Sequence, residues 1–124
     1  MRKQLCITLI FFIFSCKEEM NIVGDWKASK LIINNDEIVD NPGFPTTYIK
    51  TDNIIIYFEQ LFYYEIKNDT MFFFKEDEPD EVLTTKRIEI VDENSFILYY
   101  GRNEMNDSTN SINYIPYKSI WKKI

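Results

Sequence analysis

The sequence predicts an all-β protein, an antiparallel up-and-down meander closed into a barrel of roughly eight strands. Three observations carry this. Short runs rich in Ile, Val, Phe and Tyr recur along the chain, which holds ten Phe and eight Tyr. Turn-forming residues separate these runs at short intervals, and no stretch after the first 22 residues shows a helical apolar stripe over three turns. Consecutive strands with short connections pair antiparallel, and closing the sheet removes its exposed edges. A two-sheet sandwich is the alternative, because alternation alone does not separate closure from stacking.

The expected strands are 24–33, 37–40, 46–50, 53–59, 61–67, 70–76, 82–91, 95–101 and 112–123. Asn34-Asn35-Asp36 supplies the first turn, and the corner Pro42-Gly43-Phe44-Pro45 precedes the third strand. Asn68-Asp69, between Tyr64-Glu65-Ile66-Lys67 and Thr70-Met71-Phe72-Phe73, is the clearest tight hairpin. Residues 76–81, with Pro79, read as a solvated hairpin tip, Asp92-Glu93-Asn94 as a turn, and residues 101–111 as a long polar loop.

Alternation assigns faces. Phe62, Tyr64 and Ile66 share one side of their strand, with Tyr63, Glu65 and Lys67 on the other. Ile88 and Ile90 oppose Arg87 and Glu89; Phe96, Leu98 and Tyr100 oppose Ile97 and Tyr99. The residues expected to face the barrel interior are Trp26, Phe58, Phe62, Tyr64, Phe73, Phe96, Leu98 and Tyr100. An interior of this size either fills with side chains or holds one small ligand.

The N-terminus has a different character. Met1-Arg2-Lys3-Gln4 is cationic, and Leu5 to Phe14 is apolar apart from Thr8. Ten helical residues rise about 15 Å, half of a bilayer core, which fits the apolar region of a signal peptide better than a membrane span. The run ends Ile13-Phe14-Ser15-Cys16. This resembles the lipobox of bacterial lipoproteins. The resemblance implies a signal peptide over 1–15, cleavage before Cys16, and thioether-linked acyl chains on that cysteine, with palmitate as a test label. Lys17-Glu18-Glu19 resembles the export tag that sends some lipoproteins to the outer surface, within a tether over 16–22. The expected location is therefore the outer membrane, lipid-anchored, on the cell surface or the periplasmic face.

Composition narrows the chemistry. Loss of Arg2 and Lys3 leaves 12 basic against 20 acidic residues, a net charge of −8. An acidic domain without a basic stripe argues against nucleic acid as a partner. Cys6 departs with the signal and Cys16 is acylated, so no disulfide is expected. The chain has no histidine, which removes the commonest general base and metal ligand, and with it every Ser-His-Asp or Cys-His arrangement. The acid run Glu76-Asp77-Glu78-Pro79-Asp80-Glu81 lacks EF-hand spacing for calcium. Asp36, Glu37, Asp40, Glu59 and Glu65 are carboxylates that no motif brings together for glycoside hydrolysis. No catalytic residue, cofactor or metal is assigned.

Ile22-Val23-Gly24-Asp25-Trp26-Lys27 resembles the Gly-x-Trp signature of lipocalin-like domains, and the resemblance runs loosely over 22–124. It implies a lipocalin-like barrel over 23–124, a glycine that lets the entering strand turn, and a tryptophan plugging the closed end. Larger lipocalins stack an arginine from the last strand on that tryptophan; here Lys122 and Lys123 stand near that place. Trp121, close to the C-terminus, is expected to matter less to stability, since chain ends fray. Asp107-Ser108-Thr109 and Asp69-Thr70-Met71 resemble acceptor triplets of bacterial O-glycosylation, with Ser108 the candidate residue.

The function expected is that of a non-enzymatic outer-membrane lipoprotein whose barrel binds a small hydrophobic ligand. The alternative is an envelope-held protein-binding module, such as a lysozyme inhibitor or toxin immunity protein, whose acidic surface meets a basic partner.

Overall fold

The computed structural model describes residues 22–124. Nine strands follow one another: β1 Gly24–Ile33, β2 Glu37–Asp40, β3 Thr47–Lys50, β4 Ile54–Tyr57, β5 Gln60–Lys67, β6 Thr70–Lys75, β7 Glu78–Asp92, β8 Ser95–Asn106 and β9 Ser111–Lys123. All neighbours are antiparallel. β1 closes the sheet. Its first residues pair with β3, from Gly24↔Ile49 to Trp26↔Thr47, and its other edge pairs with β9 from Trp26↔Lys123 to Ile33↔Tyr117. Eight strands thus form a closed lipocalin-like barrel, and β2 is an extra strand laid along the far half of β1. Closure excludes the sandwich.

The turns follow the residues that tolerate positive φ. Asn34, Asn35, Asp52, Asn53, Asn68 and Asn110 all lie in that region. β1 carries a bulge at Ser29, where its register against β9 shifts between Ala28 and Lys30, and Ser29 Oγ donates to the Ile120 carbonyl at 3.2 Å. A bulge bends its strand and increases local twist, which lets β1 leave β3 and take up β2.

Several boundaries differ from the expectation, among them the end of β4 at Tyr57 in place of residue 59. The tip after β6 is only Glu76-Asp77; Glu78 to Glu81 already belong to β7, which pairs with β6 from Lys75↔Glu78. The long loop at 101–111 is instead a projecting ribbon, with β8 and β9 paired as far as Asn106↔Ser111. Polar composition there reflects solvent on both faces, and backbone pairing continues without a buried side. The tether also ends earlier than residue 22. Ile22 is buried and its carbonyl accepts the Trp26 Nε1–H at 2.9 Å.

The core fills the closed half of the barrel. Trp26 and Trp121 are fully buried, each with one neighbour in Phe96: edge-on to Trp26 at 4.6 Å between ring centres and stacked on Trp121 at 6.3 Å. Ile49, Ile55, Phe62, Met71, Phe73, Ile88 and Leu98 complete it. Each such side chain contributes about 1.5–3 kcal/mol by leaving water. Trp121 is set as deeply as Trp26, against the expectation, because the last strand is held between β8 and β1 rather than left to fray.

Candidate ligand site at the open end of the barrel

The closed end is occupied by indoles, so any ligand space lies toward the other end, where β4 ends, β7 begins to part from β8, and the 42–45 corner folds over. Interior positions there follow from register. Tyr57 extends the inward series from Ile55; its ring lies 5.7 Å from Phe73 and 6.0 Å from Trp121. Phe44 from the corner packs against Trp121 at 6.3 Å. On β8, Tyr100 continues the face of Phe96 and Leu98. On β7, Lys86 continues the face of Ile88 and Ile90.

Lys86 is the chemically distinctive residue. The ladder between β7 and β8 stops at Arg87↔Tyr99, so Lys86 and Tyr100 stand where the two strands diverge. The Lys86 ammonium lies 4.5 Å from the centre of the Tyr100 ring and 5.8 Å from that of Tyr57. Among the described residues no carboxylate lies within ion-pair distance of it; the pairs formed are Lys30–Asp40, Lys67–Glu65, Lys75–Glu78 and Arg102–Glu104. Burial holds the Lys86 ammonium below the usual lysine range.

The surrounding phenols are neutral. Burial, with a smaller contribution from Tyr100, pushes Tyr57 well above the ordinary tyrosine value. Burial also raises Tyr64 and Tyr100, and for Tyr100 a hydrogen bond with Ser119 acts in the opposite direction. Ser119 is itself buried and accepts the Trp121 Nε1–H at 2.9 Å. The buried indole, Ser119 and Tyr100 thus bring polar groups close to the Lys86 ammonium. Such a setting suits an apolar or aromatic body carrying a negative group: the rings supply contact area and Lys86 supplies charge.

The residues expected in the interior fall into three groups. Trp26, Phe62, Phe73, Phe96 and Leu98 are buried in the core. Tyr64 and Tyr100 are half-buried and pack against it. Phe58 is not inside. It occupies a two-residue turn with Glu59, both at positive φ, and is 41% exposed, its ring against Phe44 and Tyr57 at the rim of the open end. Cys16, Lys17, Glu18 and Glu19 lie outside the described residues. Ser108 sits exposed at the ribbon tip, where its hydroxyl donates to Asn106 Oδ1 at 2.8 Å.

A concavity of about 460 Å³ lies against Arg87, Tyr99, Tyr100, Tyr114 and Lys118. Its charges are already engaged. The Arg87 guanidinium stacks 3.7 Å from the Tyr99 ring centre, and the Tyr99 hydroxyl donates to Glu89 at 2.6 Å. Among the described residues no three metal-ligating side chains gather in one place.

Sequence reasoning missed Lys86 and Tyr57. The signal for Lys86 was present, since it shares the parity of Ile88 and Ile90. No family model, curated protein or solved structure matches the chain.

Proposed function

We propose that this chain is an outer-membrane lipoprotein, anchored through acyl chains on Cys16, whose lipocalin-like barrel binds a small hydrophobic molecule bearing an acidic group, without catalysis. The observation that carries the ligand reading is Lys86. A half-buried ammonium flanked by Tyr57 and Tyr100 and lacking a carboxylate among the described residues is costly unless an anion completes it. The filled closed half of the barrel limits the ligand to one that enters the open end only partway. The anchoring reading rests on Ile13-Phe14-Ser15-Cys16 and the charged triplet after it.

Titration with a fluorescent fatty acid, and with the alcohol of the same chain length, tests the site. The acid should bind in preference to the alcohol. Lys86→Met should weaken acid binding by about 10- to 100-fold, the worth of one hydrogen bond to a charged group, and leave the alcohol unaffected. Absence of saturable binding by either probe sinks this reading. Capture of the protein by a basic lysozyme, with no uptake of either probe, would instead favour the inhibitor-like alternative, to which the net acidic charge is suited. For the anchor, Cys16→Ala should abolish labelled-palmitate incorporation; unchanged labelling removes it.

A further inference from the structure

Beyond the barrel wall, β8 and β9 run on as a two-stranded ribbon from Gly101↔Pro116 to Asn106↔Ser111. Among the described residues, no strand lies beside one edge of that ribbon, Ser111 to Ile115 on β9. β1 first meets β9 at Tyr117, and the Pro116 carbonyl accepts Asn34 N–H at 2.8 Å. That bond also shows which groups point outward. Along a strand the N–H and C=O of alternate residues turn to the same side. The Pro116 and Ile120 carbonyls and the Ile124 N–H point toward β1, so Ile112 and Tyr114 present their backbone N–H and C=O to the open edge.

The other open edges carry charges or proline, apart from Val82-Leu83-Thr84-Thr85 on β7. β2 begins and ends with acids, Glu37 and Asp40. β7, where it leaves β8, carries Glu78, Pro79, Asp80 and Glu81. β8 carries Arg102 and Glu104 along 101–106. Charges and proline on edges oppose the addition of another strand. Ser111-Ile112-Asn113-Tyr114-Ile115 has no charge and no proline; Pro116 stands just past its end.

We propose that this edge pairs with its own counterpart on a second copy of the chain. The stretch is self-complementary about Asn113. With a two-fold axis perpendicular to the ribbon, Ile112 lies opposite the partner's Tyr114, and Tyr114 opposite the partner's Ile112. Both pairs exchange backbone hydrogen bonds, and Asn113 faces the partner's Asn113 in a closer, non-bonded pair. Met105, directly across the ribbon from Ile112, joins the same face. Met105, Ile112 and Tyr114, now 61%, 65% and 64% exposed, would form one apolar stripe across four strands. The net charge of −6 opposes the approach of two copies over most of the surface, and this uncharged, self-complementary edge is where they meet without setting like charges against each other. Pro116 and the turn at 107–110 limit the ladder to five residues, so the contact belongs to the small, weak class.

Sedimentation of the full chain tests the pairing. Wild type should be monomeric at low concentration and dimerise at hundreds of micromolar, about the range expected of so small an interface. Added salt should strengthen the association by screening the net charge. Asn113→Lys sets two ammoniums face to face across the axis while leaving Glu104 opposite each within its own ribbon; it should weaken dimerisation about tenfold or more. Asn103→Lys adds the same charge on β8 and should leave it intact. A wild type that stays monomeric, or equal loss in both variants, overturns the proposal. Asn113→Cys gives an independent readout, since non-bonded antiparallel pairs place Cα atoms about 4.5 Å apart, within disulfide reach. Oxidation should link it into dimers beyond the level seen for wild type and Asn103→Cys, and equal linking of all three overturns the register.

Discussion

Lys123 lays its side chain over the Trp26 indole, its ammonium 5.4 Å from the ring centre, through the space that Gly24 leaves open. A Cβ on Gly24 would come within 2.8 Å of Lys123 Cε, and the φ of +152° there disfavours other residues. The glycine of Gly-x-Trp is thus doubly constrained, by backbone and by the lysine it admits. Lys123→Ala should cost about 0.5–1 kcal/mol, the worth of a partly exposed cation over an aromatic face. Lys123→Arg should hold or exceed wild-type stability, because a planar guanidinium stacks better. Urea melts decide it, and a neutral Lys123→Ala would show the contact to be incidental.

The two tryptophans should prove equally costly to remove. Both are fully buried, and both donate their indole N–H, to Ile22 O and to Ser119 Oγ. Trp→Ala at such a site costs about 3–5 kcal/mol, against a total of about 5–15 kcal/mol for a domain of this size. Ser119→Ala should itself cost about 1–3 kcal/mol by leaving the Trp121 N–H buried without that acceptor. A Trp121→Ala midpoint near wild type would mean that the last strand frays after all.

The turn Phe58-Glu59 should be improvable. Two-residue hairpin turns with both residues at positive φ favour Asn-Gly, yet a bulky aromatic and a glutamate hold φ of 50° and 65° here. Strain of this kind costs about 1–3 kcal/mol per residue. Glu59→Gly should raise the denaturant midpoint, while Phe58→Asn should gain less because it gives up the ring contacts with Phe44 and Tyr57. A destabilised Glu59→Gly would show that the glutamate is held by something other than the turn.

That turn also explains where sequence reading stops. Strand identity was legible because turn chemistry and β-rich runs coincide along this chain, from Asn34-Asn35 to Asn68-Asp69. Inward residues were legible inside each strand, as with Phe62, Tyr64 and Ile66. Parity did not carry across the β4–β5 turn: Tyr57 pairs with Gln60 and Ile55 with Phe62, so odd residues on β4 share a face with even residues on β5. Placing 53–59 in one strand with Phe58 inward therefore chose a turn residue and passed over Tyr57. Lys86 was masked by its charge, although its position in the alternation is inward. The ribbon beyond Tyr100 was read as loop because it buries neither face, and backbone pairing leaves no hydropathy signal.

Lys86 also makes a prediction that needs no ligand. Its folded-state value is lowered by burial, so between that value and the ordinary lysine range the unfolded chain binds more protons than the folded one. Stability therefore rises with pH across that alkaline window. The raised phenols act the other way at higher pH: Tyr57, Tyr64 and Tyr100 resist ionisation when folded, so ionisation in the unfolded chain favours unfolding above about pH 10, the ordinary tyrosine value. The difference between wild type and Lys86→Met isolates the lysine, because the phenols are common to both. Methionine keeps an apolar stem and removes the desolvated charge, so the variant should be the more stable at neutral pH. Its advantage should shrink as pH climbs toward the lysine range and wild type sheds its proton. Urea midpoints for both proteins from pH 7 to 10 provide the measurement. A gap that stays constant with pH would mean that the ammonium is well solvated, and would remove the reason for expecting an anion beside Tyr57 and Tyr100.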